Sequence, residues 1–204
     1  MSGKKIAFLI TGLLLLDQIV KILVKTNMLI DESITVFPNW FFIRFIENPG
    51  AAFGMQIGGD YGKLILSLFR IVAVAIIGWY IVKLHKKKAP TGVIVGFVLI
   101  LVGAFGNIVD SAFYGLIFTD SPTIYVAGAE PASFVLPGHG YAGFLHGKVV
   151  DMLYFPIIEG NYPSWFPWVG GDHFVFFSPI FNFADSYITI GVLYLLIFKN
   201  KYFR

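Results

Sequence analysis

Residues 92–113, GVIVGFVLILVGAFGNIVDSAF, carry one charged side chain, Asp110, and that only near the end of the stretch. A helix needs roughly 20 mostly apolar residues to cross about 30 Å of hydrocarbon, so this stretch reads as a membrane span. Three more stretches outward from it read the same way. They run over about 6–24, where Asp17 and Lys21 interrupt the apolar pattern, about 64–82, and about 183–198. The composition agrees, with 57% hydrophobic and 13% charged residues, whereas a soluble domain is nearer one-quarter charged. The expected fold is a membrane all-α domain with four transmembrane helices, one unit over 1–204. The N-terminal stretch lacks a clean small-residue cleavage site and is read as a retained helix. Cysteine is absent, which excludes disulfides and thiolate metal sites. The four histidines are scattered along the chain, and no metal or cofactor is expected.

Basic residues set the orientation. Lys4 and Lys5 precede the first span, Lys83, Lys86, Lys87 and Lys88 follow the second, and Lys199, Lys201 and Arg204 lie at the end. No acidic residue shares those segments. The positive-inside rule then puts both termini and the 83–91 loop in the cytoplasm. Residues of about 26–62 and 115–181 face the other side. In the first of these, Ile34–Phe37 and Trp40–Ile46 are β-branched and aromatic runs separated by Pro38-Asn39. They predict a small outer-face β-sheet on the bilayer. The second is a loop-rich extension, with Asn161–Trp168 as an interfacial loop.

This topology brings Asp110, Asp151 and Asp185 to the outer boundary. An ionised carboxylate at membrane depth is costly and marks a functional site by default. Two that converge can share a proton and activate water. Asn107 with Asp110, and Asn182 with Asp185, share an Asn-x-x-Asp spacing that places each pair on one helix face. A polar helix end accounts for either pair alone, and Asn182 also fits an N-cap with Asp185 at N3. Asp17 and Lys21, four apart, can pair as a structural unit or support the site. For Glu47–Gly54, an ordinary loop entering a helix is the simpler local account.

Five motifs stand in order along the chain. They are Asp17-Gln18 with Lys21, Asn48-x-Gly50-Ala51-Ala52-Phe53, Gly106-Asn107-x-x-Asp110, Val149-Val150-Asp151, and Phe181-Asn182-x-Ala184-Asp185. This arrangement resembles the bacterial lipoprotein signal peptidase (signal peptidase II) family over the whole chain. The resemblance implies an intramembrane aspartic endopeptidase of the inner membrane, with Asp151 and Asp185 as the catalytic pair. Asn48, Gly50, Asn107, Asp110, Asn182, Ala184, Asp17 and Lys21 would bind substrate or support the site. The implied substrate is a diacylglyceryl-prolipoprotein, cleaved on the amino side of the lipidated cysteine. The implied setting is a monomer in membrane lipid, blocked by globomycin-type cyclic peptides and without nucleic acid. Two departures stand out. The family usually has Arg directly after Asn-x-x-Asp, where this chain has Ser111, so a positive charge near the site is either missing or supplied from elsewhere, with Arg44 and Lys148 as candidates. Residues 116–147 form an outer-face insertion, expected to bear on substrate access. Two rival readings are a small transporter with an aspartate proton relay and a membrane assembly protein that needs none of these acids.

Overall fold

The computed structural model describes residues 1–49, 59–156, 158–176 and 179–198. Helix α1 (Gly3–Asn27) starts where the Ser2 hydroxyl caps the Lys5 N–H. Helix α2 covers Gly59–Lys86 and α3 covers Thr91–Val109. The chain continues through a π-helical turn, Asp110–Tyr114, into the short α4, Gly115–Ile117. Helix α5, Phe183–Ile197, closes the fold. Gly3–Asn27, Leu64–Lys86 and Thr91–Ile117 are long and apolar enough to cross a membrane. α5 is apolar but has 15 described residues.

Strands β1 (Ser33–Phe37), β2 (Phe41–Asn48), β3 (Val149–Tyr154) and β6 (Ile180–Phe181) form one antiparallel sheet in the order β1-β2-β3-β6. The first two match the β-branched runs read from sequence, with Asn39 at φ 73° in the turn between them. Strand β3 hides its signal, because Val149 to Leu153 are all buried and show no polar–apolar alternation. A separate hairpin, β4 (Ile158–Asn161) with β5 (His173–Phe176), holds the Tyr162–Asp172 loop between its strands. Within 116–147 the described chain is mostly irregular, as the Gly and Pro content suggests. It is nevertheless tied down. Ile30 donates its N–H to Pro122 O and accepts from the Ile124 N–H at its own carbonyl.

Two apolar cores stack along α1. One gathers Ile6, Ile81, Leu84, Val93, Ile94, Val98, Val102 and Tyr187. The other gathers Val24, Met28, Phe45, Tyr114, Phe118, Val150, Met152 and Leu153 beneath the sheet. Asp17 and Lys21 on α1, and Asn107 and Asp110 at the end of α3, fall in sequence between the two cores and are buried. The fold therefore presses a polar layer between two dry ones.

Helices α3 and α5 pack antiparallel at very close range, through small residues. A side chain at Gly103 would put its Cβ 2.2 Å from the Ala184 carbonyl oxygen, and one at Gly191 would meet the Gly96 carbonyl at 2.7 Å. Close approach through small residues is the usual way membrane helices gain packing contact. Gly103→Ala is expected to destabilise the fold by about 1–3 kcal/mol, because backbone rather than a flexible side chain must move. Gly12→Ala, with open space around it, is the control. Thermal unfolding in detergent measures the difference, and equal melting temperatures would refute the close packing.

Candidate active site

The polar layer is organised around one ammonium group. Lys21 Nζ lies 3.1 Å from Asp17 Oδ2, 2.8 Å from Asp110 Oδ2 and 2.9 Å from Asn107 Oδ1. Asp17, Lys21 and Asp110 are each fully buried. The i,i+4 spacing on α1 aligns Asp17 with Lys21, and the i,i+3 spacing on α3 aligns Asn107 with Asp110. Gln18 completes the layer, donating to Asp17 Oδ2 at 3.0 Å, Asp110 Oδ1 at 2.9 Å and the Gly106 carbonyl at 3.2 Å. The Tyr114 hydroxyl donates back to Gln18 Oε1 at 3.2 Å. The opposed charges and these donors compensate the desolvation of the acids.

The layer reaches both of the remaining acids. Asp17 Oδ1 accepts the Ala184 N–H at 2.9 Å, fixing the first turn of α5. Asp110 Oδ2 accepts the Val150 N–H at 3.3 Å, fixing β3 one residue before Asp151. Asn107 passes the contact on, since its Nδ2 donates to Asp185 Oδ1 at 2.9 Å. Asn182 then serves both carboxyls. Its Nδ2 donates to Asp151 Oδ1 at 2.6 Å and its backbone N–H to Asp185 Oδ2 at 3.4 Å, while its Oδ1 accepts the Asp185 N–H at 2.9 Å. Asn182 and Asp185 are thus the capping box of α5, and the same two residues lie in the polar cluster. Burial, and then the charge of Asp185, push the Asp151 carboxyl up to about 8.

Asp151, Asp185, Asn107, Asp110, Asn182, Ala184, Asp17 and Lys21 therefore form one connected cluster. Asn48 ends β2 opposite Val149, two residues from Asp151 on the neighbouring strand. Gly50 lies outside the described residues. Lys21 and Gln18 join Asp17 to Asp110. Arg44 pairs with Asp31 at 3.0 Å, and Lys148 with Asp120 at 2.6 Å and Glu47 at 3.3 Å, so each is held by other acids. Ser111, the departure from the family pattern after Asp110, is buried and donates to the Asn107 carbonyl at 3.0 Å.

Two features escaped the sequence. Lys25 is a second buried lysine, paired with Glu47 and donating to Ser121 at 2.8 Å, which ties α1, the sheet and the insertion together. Its signal was a further Lys at i+4 from Lys21. Arg70 is the other, and its signal was plainer: a lone arginine in the second apolar stretch.

A family model for signal peptidase II matches residues 9–200. The chain belongs to the signal peptidase II family. It is a peptidase by that membership, and a multi-pass membrane protein by its apolar helices. The lipoprotein signal peptidase of Porphyromonas gingivalis strain ATCC 33277 is 49% identical over 197 residues, covering 96% of this chain and 83% of that protein. The Amoebophilus asiaticus lipoprotein signal peptidase is 37% identical over 188 residues, covering 91% and 73%. A bacterial membrane enzyme solved in meso at 2.3 Å shares the fold, with a TM-score of 0.60 and 24% identity over 98% of this chain and 89% of that one. A second, solved at 1.9 Å, gives 0.58 and 25% over 96% and 92%.

Removing Lys21 strands Asp17 and Asp110 without a counter-charge. Losing one member of a buried ionic group typically costs about 3–5 kcal/mol. Lys21→Met is therefore expected to unfold at a lower temperature than the parent, or to fail to accumulate in the membrane. Thermal melting of the purified protein checks this, and an unchanged melt would show that the lysine does not hold the layer.

Proposed function

We propose that this family member is an aspartic endopeptidase. It would remove the signal peptide of diacylglyceryl-prolipoproteins on the amino side of the lipidated cysteine. Asp151 and Asp185 act as the catalytic pair. The observation that carries this reading is the single residue Asn182, which donates to both carboxyls and so links two acids from different elements. Such a pair retains one proton over a useful pH range. The raised Asp151 carboxyl holds it, and Asp185 is the base.

In the reaction, Asp185 draws a proton from water as the water oxygen bonds to the scissile carbonyl carbon. Asp151 gives its proton to the carbonyl oxygen. In the tetrahedral intermediate the hydroxyl returns that proton to Asp151. The C–N bond then breaks as the leaving nitrogen takes the proton held by Asp185. Asn107 and Asn182 orient the carboxyls throughout. Basic flanks of the apolar segments support an orientation with both termini in the cytoplasm. The pair then lies at the outer face of the inner membrane, with α5 as the fourth span. Exposed apolar faces of the helices, Phe69 and Leu68 among them, would meet lipid and the lipid chains of the substrate. The 116–147 insertion would bear on substrate entry.

Asp151→Asn and Asp185→Asn should each lower turnover at least about a thousand-fold, with expression and membrane insertion retained. The measurement is conversion of a lipidated precursor to its mature form in detergent. Near-parental turnover by either variant removes that residue from the pair.

The pH dependence has a defined sign. Below about 8 Asp151 keeps the proton it must donate, and above that it ionises. Turnover at saturating substrate should therefore fall as pH rises through about 8, and fall again at acid pH where the pair takes a second proton. A rate that stays level or rises from pH 7 to about 10 contradicts Asp151 as the acid.

A further inference from the structure

The outward side of α2 changes character along its length. Phe69, Val72 and Ile76 are 69%, 56% and 58% exposed, and Trp79 follows at 63%. From there the same face turns basic. Trp79, Val82, Lys83, Lys86 and Lys87 recur at three- and four-residue spacing, which puts them on one side of the helix. They line a shallow hollow of about 340 Å³. The inward side is a different stripe, since Ile81 and Leu84 are buried in the core with Ile6 of α1 and Val93 of α3. The hollow therefore opens away from the helix bundle, toward lipid.

Its lysines lean into the bilayer. Cα–Cβ bonds tilt toward a helix N-terminus, so side chains near the C-terminal end of α2 point back along the span. Lys83 does so, with its Nζ 5.0 Å from the centroid of the Trp79 ring, one turn nearer the middle of the helix. Tryptophan marks the membrane–water boundary, and an ammonium over its ring stands at the level of the headgroup phosphates.

The chain supplies no counter-charge at this end. A Cβ added at Gly3 would lie 3.8 Å from His85 Nε2, so Lys4 and Lys5 of α1 belong to the same end of the bundle. Lys4, Lys5, Lys83, Lys86, Lys87 and Lys88 are all exposed. No acidic residue occurs in 1–16, 61–109 or 186–204. Lysines in a last turn suit the helix dipole, but the dipole asks neither for a shared face nor for a tryptophan beside it. The missing negative charge comes from outside the chain.

We propose that this hollow binds an anionic phospholipid of the adjoining leaflet. The phosphodiester headgroup sits among Lys83, Lys86 and Lys87, and an acyl chain lies along Trp79, Ile76 and Val72. The lengths agree. One leaflet holds about 15 Å of hydrocarbon, half of the bilayer core. That is about ten residues of helix at 1.5 Å each, the stretch from Lys83 back to Val72. The charges agree too. Three ammonium groups around one phosphate favour a lipid of net negative charge over a zwitterion, whose own cationic group they repel. Which leaflet this is follows from the orientation proposed above. The binding depends neither on that orientation nor on the aspartic reading.

The test is native mass spectrometry of the full-length protein in detergent, titrated with phosphatidylglycerol or phosphatidylcholine. The parent should hold phosphatidylglycerol at least about tenfold more tightly, and equal affinity overturns the proposal. Changing Lys83, Lys86 and Lys87 together to Gln should weaken it about a hundredfold, at about fivefold per lysine. Trp79→Leu should weaken it about two- to fivefold. Lys4→Gln with Lys5→Gln removes charge from the same end but outside the hollow, and should change affinity less than about twofold. A loss there equal to that of the triple variant overturns the site in favour of a general basic surface. Inorganic phosphate at matched ionic strength should not displace the lipid; if it does, the occupant is a free anion and the lipid assignment falls. If the triple variant does not fold, the parent's lipid preference and Trp79→Leu decide, and unchanged affinity in Trp79→Leu overturns the proposal.

Discussion

The Lys21 ammonium, buried among Asp17, Asp110 and Asn107, is the interaction on which the other parts of the site depend. It makes two buried carboxylates tolerable between two apolar cores, and each carboxylate then reaches on to a different element. Asp17 holds the first turn of α5 through the Ala184 N–H, and Asp110 holds β3 through the Val150 N–H. Those are the elements that carry Asp185 and Asp151. The position of the proposed catalytic pair is thus set by a charge cluster to which the proposed mechanism gives no proton-transfer step. Separating stability from catalysis in this way has a cost. A buried ionic group is seldom a net gain over a well-packed apolar one, so its presence here is better explained by the positioning it provides.

Much of this was legible in the sequence, and for identifiable reasons. The spans over 92–113 and 6–24 announce themselves by apolar length, and the acids at their ends by contrast with it. The i,i+3 and i,i+4 pairs are local geometry, and both survive in the fold. Strands β1 and β2 show because β-branched and aromatic residues run through both and Pro38-Asn39 separates them. Strand β3 does not show. Its buried Val149-Val150-Asp151-Met152-Leu153 run reads equally as helix or strand, because periodicity vanishes when both faces are covered. Arg70 was passed over because a lone charge in a span has no local partner to draw attention to it.

The π-helical turn at Asp110–Tyr114 was also invisible from sequence, and it explains how the 116–147 insertion is seated. Widening the helix by one residue turns carbonyls out of the regular ladder, and such turns gather at functional sites. Here the insertion takes them up. Gly147 donates to the Ser111 carbonyl and Ala142 to the Gly115 carbonyl, at 2.8 and 2.9 Å. The fit needs glycine. A Cβ at Gly147 would lie 2.3 Å from the Asp110 carbonyl oxygen, and one at Gly140 would lie 2.1 Å from the Gly115 carbonyl oxygen. The insertion is irregular in conformation yet specific in its contacts, docked one residue from an acid of the site.

The residue at position 182 shows how far folding and site are the same structure. A helix N-cap needs only a side-chain acceptor for the N3 N–H, and Ser, Thr, Asp or Asn supplies one. At this position the side chain must also donate. Asn182 Oδ1 accepts from the Asp185 N–H while Nδ2 faces Asp151 Oδ1, Asn107 Oδ1 at 3.1 Å and the Val150 carbonyl at 3.2 Å. An aspartate there would have no hydrogen to give and would add a fifth acid to the cluster. A serine or threonine has one hydroxyl proton and too short a reach to span both elements. Only a carboxamide offers an acceptor and two donors in one plane. Of the common N-cap residues, asparagine alone can start α5 and hold Asp151 at the same time. The cap of the last helix is therefore chosen by the chemistry across from it, not by the helix it begins.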